Sequence, residues 1–364
     1  MLACGATLVG LAAAELGFRW LSPQALLHDP DAFVADPVLG TRMKPGFTDR
    51  VVTTEFSSTW IVNADGYRGP RAGERGEVAR RVLALGDSFT FGYGVEEEQA
   101  WPRVLEGLLR HGDPQGAAVE VLNLGVGGYG TWQEALWLEE MAPRTKPDLA
   151  VVGFYVGNDP SDNARAAAQS GQDGVQRGAP SGGFDAERAK RWLGSRLHLY
   201  SFVSTRADEL LVRLGLRQLV YPFEMEILRA REPAEVAQAW RRTQQAFTRL
   251  AAVARGAGVP VIVAIIPMKH QVSDAVWRRL LVHYGDDAAP ADWDRERPQR
   301  QLAYMLGAEG LDAVDLLEGL RVAGAEGQDL YWPRDQHWNV RGHAAAARVI
   351  AEKIGPLLRG SGSE

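Results

Sequence analysis

Ser88 closes the apolar run in RVLALGDSFTFGYG, residues 81–94, and a serine at such a place can do chemistry. A serine hydroxyl is a poor nucleophile until a base takes its proton, and the base needs a third group to fix its tautomer and direction. The C-terminal stretch WPRDQHWNVRGHAAAARVIAEKI supplies both partners, His337 as base and Asp335 as orienting acid, just before a helix that Asn339 can cap. Acyl transfer through such a set also needs hydrogen-bond donors aimed at the oxyanion of the tetrahedral intermediate. The Ser88 backbone N–H, a glycine N–H from residues 125–128 and the Asn158 side-chain amide are the candidates. Glycine suits the second position because a residue without Cβ lets the backbone approach a substrate. His343 is a rival base, but it lies one turn into the helix and reads as a packing residue. Asp159 reads as a loop-organising acid.

These residues need elements to hold them, and the chain provides a regular series. Short apolar runs at 82–85 (VLAL), 119–124 (VEVLNL), 149–155 (LAVVGFY) and 259–266 (VPVIVAII), with a weaker one at 311–317 (LDAVDLL), alternate with amphipathic helical stretches. In the stretch before the fourth run, Val236, Trp240, Phe247, Leu250 and Ala254 fall on one helical face. Alternating strand and helix predicts an α/β sandwich, with a parallel sheet of about five strands covered on both faces. Ligands of such sheets bind beyond the carboxyl ends of the strands. There the sequence places Gly86-Asp87-Ser88, Gly125-Val126-Gly127-Gly128, Gly157-Asn158-Asp159 and Pro267-Met268-Lys269-His270. Residues 23–80 read as a β-rich lead-in, 81–358 as the main domain, and about 160–232 as an insertion within it; residues 163–183, rich in Ala, Gly, Gln and Ser, read as its surface part.

The four blocks resemble the SGNH hydrolase superfamily, the GDSL-type esterases and lipases, over roughly residues 81–354. Ser88 matches the serine of the first block, Gly128 the glycine of the second, Asn158 the asparagine of the third and His337 the histidine of the last. The resemblance implies a flavodoxin-like αβα sandwich, an acyl-serine intermediate, and hydrolysis or transfer of an acyl group. Two departures stand out. Phe89 replaces the leucine of GDSL, and Asp335 and His337 are separated by one residue where the family usually has two. The shorter spacing resembles the branch related to alginate O-acetyltransferases.

Aromatic residues gather near the same blocks, and Tyr129, Trp332 and Trp338 are the ones expected to face a sugar or acyl chain, with Lys269 as a further pocket residue. The formal charge of -6 lacks the basic surplus of a general nucleic-acid binder. Residues 125–130 (GVGGYG) satisfy the G-x-G-x-x-G pattern, but a dinucleotide site needs an acid at the end of the next strand, where this chain has Gly157-Asn158. The single cysteine, Cys4, excludes an internal disulfide framework and a thiolate-rich zinc site. The chemistry calls for no metal and no organic cofactor. Residues 1–14 carry no charge, and 1–22 reads as a membrane anchor or signal-like segment, shorter than a full span, which points to a periplasmic or cell-surface location. Taken together the expectation is a serine esterase acting on O-acetyl or short acyl esters, of carbohydrate in one version. The alternatives are an O-acetyltransferase acting on an exopolysaccharide or cell-envelope glycan, and a non-catalytic carbohydrate-binding or assembly protein.

Overall fold

The computed structural model describes residues 2–22, 30–53, 55–73, 78–112, 118–169, 190, 193–194, 196–213, 222–284, 292–325 and 329–360. The lead-in forms two antiparallel hairpins, β1 (Phe33–Asp36) with β2 (Gly40–Met43) and β3 (Thr48–Val52) with β4 (Ser57–Ile61). The five apolar runs form β5 (Arg80–Gly86), β6 (Val119–Gly125), β7 (Leu149–Tyr155), β8 (Val261–Ile266) and β9 (Asp312–Asp315). Val82–Leu85, all of β7 and all of β8 are buried, as strands covered on both faces must be. The edge strand β9 is short and charged at both ends, which accounts for its weaker signal.

All five strands run parallel in the order β6-β5-β7-β8-β9, the flavodoxin-like order. Helices Thr131–Thr145, Ala234–Ala257 and Asp159–Gln169 pack together on one face, and Trp101–His111, Val340–Gly360 and Leu317–Ala325 on the other. The five apolar positions expected on one face of Ala234–Ala257 are buried, and the helix stops at Gly258, whose φ of +65° is left-handed. Strand order reverses at β5, so the crevice beyond β5 and β7 is the place where this fold binds ligands.

The insertion begins differently from expectation. Residues 163–166 belong to the helix Asp159–Gln169, and Asn163 is buried: its Oδ1 accepts the Trp132 N–H at 3.0 Å. Small residues read there as surface because Ala and Asn carry little hydrophobic signal, whereas close helix packing requires them. Residues 170–189 lie outside the described residues. At the N-terminus, Leu2–Leu21 is a helix on which Glu15 caps a second helix, His198–Arg213, by accepting the His198 and Leu199 N–H groups at 3.1 and 2.8 Å. Phe18 packs on Phe202 at 4.7 Å, while Val9, Trp20 and Leu21 stay exposed. Among the described residues, no helix is long and apolar enough to cross a membrane.

Candidate active site

The turn after β5 shows why a buried strand ends in Gly-Asp-Ser. A Cβ on Gly86 would sit 2.1 Å from Thr90 Oγ1 and 3.0 Å from the Gly153 carbonyl, so no side chain fits. Asp87 caps the short helix Ser88–Phe91, its carboxylate accepting the Phe89 N–H at 2.8 Å. This forces the chain to turn at the sheet edge, with Ser88 at the first helical position. From the lead-in, the buried guanidinium of Arg68 donates to the carbonyls of Phe91, Gly92 and Val95, fixing the turn that follows.

Ser88 Oγ lies 2.7 Å from His337 Nε2, and His337 Nδ1 lies 2.6 Å from Asp335 Oδ1. A carboxylate can only accept, so Nδ1 carries the proton and Nε2 is left to accept the Ser88 O–H. The same Asp335 oxygen also accepts the His337 backbone N–H at 2.8 Å. Burial works against ionisation of Asp335, but the bond and charge of His337 outweigh it and hold the carboxyl below its usual range. Phe89 and Tyr93 lie 4.9 and 4.7 Å from the imidazole and restrict its rotation.

Around Ser88 lies a crevice too narrow to hold a water molecule, walled by Phe33, Met43, Trp60, Phe91, Tyr93 and Gly127. Three of these walls come from the lead-in. Gly128, with φ +82°, lies one residue further and opens onto a neighbouring groove of about 370 Å³ shared with Asp162, Arg165 and Tyr129. Asn158 follows β7, its Nδ2 donates to Asp162 Oδ2 at 2.9 Å, and its amide favours the charged form of Asp87, the residue before Ser88.

The expected ligand-facing residues divide. Trp338 is wholly buried, edge-on to Phe89 and His343, and offers no face to a ligand. Lys269 donates its ammonium to the Trp332 and Pro333 carbonyls at 2.6 and 2.8 Å, so it holds a loop in place of a substrate. Tyr129 is buried apart from an edge on the groove, and its hydroxyl donates to the Thr41 carbonyl. Trp332 is half-buried against Phe56, beside Gly94. His343 is buried, with its pKa pushed down to about 3 by burial and the charge of Arg68, and its Nδ1 accepts the Trp101 N–H.

Residues 223–363 match a family described as the SGNH hydrolase-like domain of the acetyltransferase AlgX. Over that segment the chain is similar to the SGNH hydrolase-like domain of AlgX. The matched segment takes in Asp335 and His337, while Ser88, Gly128 and Asn158 lie before it, following β5, β6 and β7 of the same sheet. Solved structures with similar folds include TesA (14% identity, 76% of this chain and 99% of that one, TM-score 0.41). They also include the acetyl xylan esterase AlAXEase (13%, 75% and 99%, TM-score 0.41). A third is a catalytic mutant of Axe2, an acetylxylan esterase from Geobacillus stearothermophilus (14%, 76% and 95%, TM-score 0.39). No curated protein matches the chain.

Sequence reasoning placed Asp87 and Asp159 in the turns after β5 and β7 but missed Glu134, Asp162 and the cluster that the four acids form below the site. Asp87, Glu134, Asp159 and Asp162 are all buried. Burial pushes Asp87 up to about 6 and Asp162 up to about 7, and raises Glu134 and Asp159 well above the usual range. A polar residue inside an amphipathic helix carries no signal of this kind, because only packing shows which face it occupies. For Glu134 the folded carboxyl stays protonated while the unfolded one ionises from about pH 4.5 upward, so its contribution to stability is lost as pH rises through that window. Glu134→Gln therefore raises Tm by a few degrees at pH 8 and by less at pH 5, as thermal melts at the two pH values will read.

Proposed function

We propose that this domain transfers acetyl groups from O-acetyl esters through an acyl-Ser88 intermediate, with His337 as general base and Asp335 as its orienting acid. The observation that carries the reading is the continuous hydrogen-bond chain from Ser88 Oγ through the imidazole to the Asp335 carboxylate, at 2.7 and 2.6 Å. As Ser88 Oγ bonds to the ester carbon, its proton passes to His337 Nε2. The leaving alcohol then takes that proton as its C–O bond breaks. Water, deprotonated in turn by His337, releases acetate and restores the serine. The Ser88 and Gly128 backbone N–H groups and the Asn158 amide receive the oxyanion in this reading.

The tight walls of bulky side chains around Ser88 support a short acyl group such as acetyl over a long one, while the wider groove beyond Gly128 offers room for a larger, sugar-sized alcohol. Activity against a series of p-nitrophenyl esters tests this, with acetate expected first and a steep fall by hexanoate. Comparable rates across the series would remove the acetyl preference. Asn158→Ala lowers kcat by about 10²-fold with a smaller change in KM, since an oxyanion donor acts mainly in the transition state. An unchanged kcat would reassign the oxyanion donor.

The match to an acetyltransferase family favours a second version, in which a glycan hydroxyl takes the place of water. Incubation with an acetyl donor and polysaccharide separates the two, because transfer leaves new acetyl groups on the glycan. A membrane-associated, extracytoplasmic setting belongs to the same proposal, supported by the uncharged residues 1–14 and the exposed Val9, Trp20 and Leu21. Fractionation of cells expressing the full chain checks it.

A further inference from the structure

Asp335 and His337 ride on a six-residue loop, residues 332–337, closed at its base by the Tyr331–Trp338 bridge and by the Trp332 N–H bond to the His337 carbonyl at 3.0 Å. Arg334 and Pro333 are exposed. A loop this short and open positions a catalytic pair only if its backbone is tied down from outside. Two side chains tie it. Lys269, just after β8, takes the Trp332 and Pro333 carbonyls. Glu55, from the turn between β3 and β4 in the lead-in, takes the opposite polarity: its Oε1 accepts the Arg334 N–H and its Oε2 the Asp335 N–H, each at 2.8 Å.

Both oxygens of one carboxylate are spent on consecutive N–H groups, a charge-assisted pair that fixes the peptide plane entering Asp335. Because Asp335 Oδ1 holds both the His337 ring and its backbone N–H, a small rotation of that plane misaims Nε2 at Ser88. Glu55 also sits beside Phe56, whose ring packs on Trp332 and on Tyr93, so the same turn braces the loop by contact as well as by charge. Lys269 and Glu55 attract each other across the loop.

From this geometry we infer that Glu55 is a positioning residue of the acetyl-transfer site, through which the N-terminal lead-in holds the acid–base loop in register with Ser88. The inference rests on the triad reading above. It adds that residues outside the parallel-sheet domain are part of the working site, so the lead-in is more than a linker.

Labelling of Ser88 by a fluorophosphonate, followed on the full chain against pH, tests the inference apart from the reading beneath it. Wild type is expected to label and Ser88→Ala to stay unlabelled; a wild type that does not label overturns the triad reading itself. With labelling established, Glu55→Ala should slow it about 10-fold and flatten its pH dependence. Glu55→Gln, isosteric and with one oxygen still able to accept, should fall between Glu55→Ala and wild type. For p-nitrophenyl acetate the loss should appear in kcat, with KM within about twofold. If Glu55→Gln, folded by its melting curve, labels at the wild-type rate with the wild-type pH profile, Glu55 has no positioning role. The same holds if the two variants lose activity only in proportion to unfolded protein.

Discussion

Ser88→Ala eliminates acetyl-ester turnover, by about 10⁴-fold or more, and abolishes fluorophosphonate labelling, while the melting temperature moves little. The hydroxyl is the group poised against the imidazole at 2.7 Å, and alanine leaves nothing to carry the acyl group. Removing one small oxygen from a side chain that borders the crevice opens no cavity of consequence, so folding is spared. Steady-state rates on p-nitrophenyl acetate and mass spectrometry of trapped acyl-enzyme measure the two outcomes. Full activity in the variant, or an acyl adduct on another residue, would show that a different group attacks the ester.

Asp335→Ala lowers kcat/KM by about 10³-fold or more, and Asp335→Asn by less. The difference follows from a detail of the geometry. One oxygen, Oδ1, accepts both the His337 ring N–H and its backbone N–H. An asparagine carbonyl in that position can accept both as well, so the tautomer and ring direction survive and only the negative charge that stabilises the imidazolium is lost. Alanine removes charge and alignment together. Equal losses in the two variants would mean that the charge alone matters; a larger loss in Asp335→Asn would mean that its amide turns its NH2 group to the ring and reverses the tautomer. Because the Asp335 carboxyl is held below its usual range, its charge persists through mildly acid conditions, and a fall in wild-type activity near pH 5 would originate elsewhere than in Asp335.

The main architecture was legible because its signals are local. Apolar-rich runs of four to eight residues, each followed within two residues by glycine or proline, mark strands buried on both faces, and β5 through β8 are found within two residues of those runs. The edge strand β9 is fainter for the same reason, since one side of it meets water. The positions of Ser88, Asp335 and His337 were readable from the turn chemistry after the first run and from an acid and a histidine placed just before the last helix, although their one-residue spacing departs from the usual pattern. Their meeting was an expectation of the motif order, and the packing of the last helix against Trp101–His111 realises it.

Other residues were read from type alone, and type was insufficient. Trp338 is aromatic and adjacent to His337, yet the bridge to Tyr331 turns it inward, where its ring is worth more as core than as a ligand platform. Lys269 follows a strand end, as a pocket lysine would, but its ammonium satisfies two loop carbonyls that would otherwise face it unpaired. Glu55 gave no signal in a Thr- and Ser-rich hairpin, because its partners lie 279 and 280 residues away.

The order of strands and helices, the sharp turn before Ser88 and the pairing of Asp335 with His337 are decided by neighbours along the chain, through side-chain periodicity and backbone sterics. Sequence by itself therefore determined the α/β architecture and named the groups able to do acyl chemistry. Which walls enclose Ser88, which acids lie buried under Asn158 and what braces the loop of His337 depend on contacts between segments far apart in the chain. Those contacts are chosen by how whole elements fill space together, so tertiary structure alone decided them.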